Sequence, residues 1–204
     1  MSAAEPAGPS PNRDDGATDD RRYEIEVNDA QARIDVDLDR LKAVADDVLR
    51  YEGVRSAEVS IALIDGGTMQ RLNREHLGHD YDTDVLSFLL DSSDPATVAD
   101  GRPRGLGKTL DGEILISTDV AAKVAGEFGW SEEDETTLYL IHGLLHLIGY
   151  DDLTDAEKAA MRQRERLHLA RWNMTPAYHE DSGHDDSDAP AGSPPHDSHT
   201  GVRG

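Results

Sequence analysis

His142 and His146 stand four residues apart in a stretch, 138–148, that is otherwise almost wholly apolar. On a helix, residues at i and i+4 share a face about one turn apart, so this spacing lets two imidazoles reach one metal ion. An apolar helix offers their ring nitrogens no water, and a cation would satisfy them. The third ligand is expected from Asp152. A helix continued past His146 would turn that carboxylate to another face, but Gly149 stops it first and Tyr150-Asp151 can swing the chain back. The pattern is then H-x3-H-x5-D, two neutral nitrogens and one carboxylate oxygen. Three protein ligands leave a fourth position for water, the arrangement of a catalytic zinc site, although another divalent metal suits the same donors. Each residue also has an ordinary explanation. A helical histidine is usually a hydrogen-bonded core residue, and Asp151 and Asp152 precede Thr154 in a turn, where Asp is common. Gly143 occupies the position at which helical zinc proteases carry a Glu base, so peptide hydrolysis by that route is disfavoured. For a general base, Asp151 and Asp84 are candidates and neither is assigned.

The elements that must position these residues read as strands mixed with helices. Tyr23–Val27 and Glu58–Ile64 alternate as strands, the second running into an Asp65-Gly66-Gly67 turn. Asp37 caps a helix with Leu38, Leu41, Val44, Ala45, Val48 and Leu49 on one face, closed by Gly53. A short helix over Thr68–His76, a strand over Asp84–Leu90, a long surface loop over 91–110 and a strand over Gly112–Ser117 follow. Asp119–Phe128 is a helix ended by Gly129. Ser131, with acids at 132–134, opens the helix that carries the histidines, and Thr154 with Glu157 opens a last one ending near Trp172. The fold class is α+β: a single domain with one small mixed sheet packed by helices, the metal site at the C-terminal end of a buried helix in zincin-like fashion.

Residues 1–20 and 175–204, rich in Ser, Pro, Gly, Asp and His, lack the apolar surface to offset ordering entropy and are expected to be disordered tails around a 21–174 domain. The formal charge is −22. The tails hold 11 acidic and two basic residues, so 21–174 carries 18 basic against 31 acidic, a net −13. Such a body repels phosphate chains at long range, which counts against non-specific nucleic-acid binding but leaves room for a local basic cleft. There is no cysteine, hence no disulfide framework and no thiolate metal site. No signal peptide or membrane-length apolar run is visible, so a cytoplasmic location is expected, with no membrane partner.

The run from His142 to Asp152, HGLLHLIGYDD, resembles the signature of the YbeY family, normally HGxLHLxGYDH. Thr83-Asp84-Val85-Leu86-Ser87-Phe88 resembles the family's second marker, with Leu72-Asn73 upstream of it. Gly112-Glu113-Ile114 with Ser117 resembles a third, normally GDI-x-IS. The three fall in family order over about 70–155. The resemblance implies a zinc-dependent, single-strand-specific endoribonuclease of rRNA maturation, acting at the small-subunit 3′ end and in ribosome quality control. Its partners would be rRNA and the small ribosomal subunit, with no DNA expected. Carried over by position, the ligands are His142 and His146. The third family ligand is His where this chain has Asp152, and a family Tyr-Arg pair here reads His76-Leu77. Asp is a sound zinc ligand, so metal binding survives. Loss of the arginine removes a phosphate clamp, which favours a rival reading as a non-catalytic, metal-stabilised ribosome-assembly factor.

Arg71, Arg74 and His79 near the missing arginine, and Arg162, Arg164 and Arg166 on the last helix, are alternative phosphate contacts, although solvated helix faces explain them as well. His168 is read as a surface histidine rather than a spare ligand. His179, His184, His196 and His199 in the tail are incidental to low complexity.

Overall fold

Alternation builds the sheet. Strand β1 (Arg22–Asp29) turns Tyr23, Ile25 and Val27 to one face, and β2 (Ser56–Ile64) turns Ala57, Val59, Ile61 and Leu63 the same way. The computed structural model describes residues 21–78, 82–93 and 103–176. Strands β3 (Val85–Ser93) and β4 (Thr109–Ser117) complete a four-stranded sheet in the order β1-β2-β4-β3. The first three strands of that order are parallel, and β3 runs antiparallel along the β4 edge. The sheet is therefore mixed and the single domain is α+β, as expected. The segment read as a 91–110 loop is strand at both ends, to Ser93 and from Thr109, because the antiparallel pairing of β3 with β4 continues beyond a bulge at Leu89/Asp91. Its middle, 94–102, lies outside the described residues, as do His79, 1–20, 177–204 and their histidines.

Five helices surround the sheet: α1 (Leu38–Tyr51), α2 (Gly66–Leu77), α3 (Thr118–Phe128), α4 (Glu132–Ile148) and α5 (Asp155–Arg171). Side-chain oxygens of Asp37, Ser131 and Thr154 accept backbone N–H groups at three of the N-termini, and Glu157 closes a reciprocal box on Thr154. Asp65 does not sit in a turn with Gly66-Gly67. Its carboxylate accepts the Thr68 N–H at 2.8 Å, so it caps α2, and both glycines lie inside that helix.

The two faces are unequal. Ile64, Leu86 and Leu115 meet Met69 of α2 on one side. On the other, Ile61, Leu63, Ile114 and Ile116 meet α1 and α4, forming the main core. Helix α4 touches α1, α3, α5, β3 and β4. Its Leu140, Ile141, Leu144, Leu145 and Ile148 are completely buried. At about 1.5–3 kcal/mol each, these five side chains supply on the order of 10 kcal/mol as an upper bound. That burial is what holds α4 against the sheet.

Gly143 explains how close α4 lies. A Cβ there would meet Ile114 Cγ2 and Ser87 Oγ at 3.0 Å and Val85 Cγ2 at 3.2 Å. The position that a zinc protease gives to its Glu base faces the sheet here. On an exposed helix Gly→Ala would add about 1 kcal/mol of stability. Here three neighbours held on strands oppose it, and overpacking costs about 1–3 kcal/mol. Gly143→Ala should therefore lower stability in urea denaturation, whereas a clear rise in the midpoint would show that α4 has room to spare.

Candidate metal centre

Both imidazoles leave α4 on the face toward α5. His142 Nδ1 lies 2.7 Å from Glu165 Oε1, and His146 Nδ1 lies 3.1 Å from the Tyr150 carbonyl oxygen. A carbonyl only accepts, so His146 Nδ1 must be an N–H, and in a neutral ring its Nε2 is then a bare lone pair. The ionised Glu165 sets the same tautomer on His142. The two Nε2 atoms consequently face each other, 2.9 Å apart. Asp152 Oδ2 lies 3.8 Å from His142 Nε2, and Asp152 Oδ1 lies 3.9 Å from His146 Nε2. Ligands around a tetrahedral ion at about 2.0–2.2 Å are about 3–4 Å apart, so these separations suit one cation. Among the described residues the three form a group able to hold a metal. Without a cation, a proton on one ring bridges the two Nε2 atoms, and a metal ion would take that proton's place.

The surroundings act oppositely on the two rings. Burial opposes charge on the His142 ring, but the hydrogen bond and charge of Glu165 outweigh it and hold its pKa above the ordinary histidine value. On His146 burial and the neighbouring His142 act together and hold the pKa below it.

The end of α4 brings Asp152 round. Gly149 adopts φ 105°, a left-handed conformation that favours glycine, and its N–H returns to the His146 and Leu145 carbonyls. Lys108 Nζ donates to the Ile148 carbonyl at 3.0 Å and an Arg104 guanidinium nitrogen to that of Gly149 at 2.6 Å, two cations at the negative end of the helix dipole. Tyr150 N–H then bonds back to Leu145 O, which turns the next carbonyl toward His146. Asp151 accepts the Asp152 N–H at 2.8 Å, so it braces the turn and stays outside the ligand group. Asp84 accepts the Val85 N–H at 2.8 Å. Its charge reaches His142, where it helps to raise the pKa, but it too stays outside the group.

Glu165 was not anticipated. It lies on the α5 stripe that also carries Met161, His168 and Leu169, and all four are buried. An acid on the apolar stripe of an amphipathic helix was the available signal. His168 is no surface residue. It is completely buried, with Nε2 2.8 Å from Glu52 Oε1, because the stripe that buries Glu165 buries it one turn later. Arg164 does not face the site either, since it pairs with Glu52. Arg71 and Arg74 are exposed on α2, which covers the opposite face of the sheet. Arg162 and Arg166 do line a cavity shared with His142 and Asp152.

The sequence model of the family described as Endoribonuclease YbeY matches residues 26–173. A Salinibacter ruber protein named Endoribonuclease YbeY is 40% identical over 136 residues, 66% of this chain and 83% of that one. Its namesake from Pelotomaculum thermopropionicum is 36% identical over 153 residues, 73% and 97% of the two chains. That from Moorella thermoacetica is 40% identical over 151 residues, 72% and 96%.

Behind the site lies a second polar cluster, also unforeseen. Completely buried Glu52, just beyond α1, accepts from the Tyr150 hydroxyl at 3.0 Å, from Arg164 and from His168. Burial alone would favour its neutral form, yet the bonds from His168 and Arg164 outweigh this and hold its pKa below the ordinary 4.5. A carboxylate with a depressed folded pKa stabilises fully above its unfolded value and loses that contribution as pH falls through the folded one. Glu52→Gln breaks the pair and should cost about 3 kcal/mol at neutral pH. In urea denaturation of chelator-treated protein, the gap between wild type and variant should narrow as pH drops below 4.5. A gap that stays constant into strong acid would contradict the assignment.

Proposed function

Because this chain belongs to the YbeY endoribonuclease family, we propose that it is a zinc-dependent, single-strand-specific endoribonuclease of rRNA maturation. It would act at the 3′ end of small-subunit rRNA and in ribosome quality control, in the cytoplasm with the small subunit as partner. The observation that carries the metal is the convergence of the two Nε2 nitrogens and the Asp152 carboxylate, each imidazole fixed from behind by an acceptor. Among the described residues no helix is long and apolar enough to cross a membrane.

His142, His146 and Asp152 would hold the zinc, which supplies a water of lowered pKa and an electrophile for phosphoryl oxygens. Glu165 and the Tyr150 carbonyl keep both rings in the tautomer that presents Nε2. Asp in place of the family's third His adds one negative charge to the ligand set. That strengthens hold on a dication while leaving it less electrophilic. Asp84 and Asp151 remain the general-base candidates, the charge of Asp84 reaching His142 and that of Asp151 reaching His146.

The test is incubation of purified protein with an rRNA fragment, with chelator, and with chelator followed by zinc. Cleavage should stop and then return. Cleavage indifferent to chelator would overturn the metal-dependent reading, and zinc-supported binding without cleavage would favour the assembly-factor reading to which Leu77 points. The ligand set is tested by zinc affinity, measured against a chromogenic chelator. Asp152→Ala should lose more than the ~10–100-fold that outer-shell changes cost, whereas Asp152→His should keep zinc binding, with a loss smaller than that of Ala. Equal affinity for Ala and wild type would remove Asp152 from the site.

A further inference from the structure

Beside the His142–His146–Asp152 group a cavity of about 470 Å³ opens along α5. Three of its lining side chains are cations, Lys158, Arg162 and Arg166, and all three are exposed to solvent. They stand at i, i+4 and i+8, which puts them on one face of the helix in a straight row with about 6 Å between successive positions. From this row we propose a phosphate-binding track: Lys158, Arg162 and Arg166 seat the sugar–phosphate backbone of single-stranded RNA, with a phosphodiester delivered to the histidine–aspartate group beside it. The proposal rests on the ribonuclease reading above and adds the residues that would hold the substrate.

Three observations favour a built track over a merely solvated face. First, the row shares its cavity with His142 and Asp152. Second, Arg162 is anchored. Its guanidinium donates at 3.1 Å to Oε2 of Glu165, the buried carboxylate whose other oxygen meets His142. The middle cation of the row is thereby held in fixed relation to the site, and a guanidinium is the group best shaped for a phosphate. Third, the domain around it is acidic, so its long-range field repels RNA and attraction must come from a local cationic feature. Asp155, three residues before Lys158, is an acidic member of the lining and marks the end of the row. Leu77, standing where the family carries an arginine, gives this chain a reason to take phosphate from another element.

The test uses the full-length, zinc-loaded chain and a labelled single-stranded RNA fragment, with initial cleavage rates measured at several salt concentrations. The double variant Lys158→Gln/Arg166→Gln spares Arg162 and its bond to Glu165. It should raise KM roughly tenfold with little change in kcat, and its salt slope should fall by about 1.4, at ~0.7 for each lost single-strand phosphate contact. Zinc affinity and melting midpoint should match wild type. The charge-matched pair Arg71→Gln/Arg74→Gln, on α2, should leave KM unchanged. If the wild type cleaves RNA but the α5 double variant keeps its KM and salt slope, the track is wrong and the nuclease reading survives. An equal rise in KM from the α2 pair would reduce the effect to net charge and overturn the track. If the wild type shows no zinc-dependent cleavage, the nuclease reading fails and the track falls with it.

Discussion

Two imidazoles placed one turn apart on a helix pressed against a sheet need an acceptor behind each ring, and every other feature of the site follows from where those acceptors come from. Glu165 supplies one and the Tyr150 carbonyl the other. Both acceptors push the remaining lone pairs forward, to the same point, where Asp152 adds a negative oxygen. In the free protein a shared proton joins the two Nε2 atoms, and a cation would replace it with the Asp152 carboxylate as its third ligand.

Helix α5 therefore works on two sides. Its inner stripe sends Glu165 to His142 and His168 to Glu52, and Glu52 in turn takes the Tyr150 hydroxyl. Tyr150 is thus held at both ends, hydroxyl on Glu52 and carbonyl on His146. The sharp turn at Gly149 that carries Asp152 into place is fixed by the same contacts and by Lys108 and Arg104 at the helix terminus. A mixed sheet suits this geometry: β3 and β4 give α4 a surface so close that Gly143 has no room for a side chain.

Local chemistry was the legible part of the sequence. The i,i+4 histidines, the stop at Gly149 and the caps at Asp37, Ser131 and Thr154 depend on neighbours within a few residues, and each stands where its spacing predicted. The α+β class followed from strand and helix periods read in order. What depended on distant partners was hidden. Glu52 meets residues of α5 more than 100 positions away, and nothing adjacent to it marks it as buried. His168 looked like a surface residue because α5 is mostly polar and its inward stripe is narrow. Asp65 was misread because Asp-Gly-Gly serves a turn as readily as a helix start, and only the packing of Met69 and Leu72 onto the sheet decides between them.

Whether His142, His146 and Asp152 together bind one metal ion is decided by diffraction from zinc-grown crystals at wavelengths on either side of the zinc edge. The expected result is a single anomalous peak at about 2.0–2.2 Å from Nε2 of both histidines and from one carboxylate oxygen of Asp152, with Glu165 still on His142 Nδ1. A peak bound through Nδ1, or one with Asp152 turned to solvent, would contradict it.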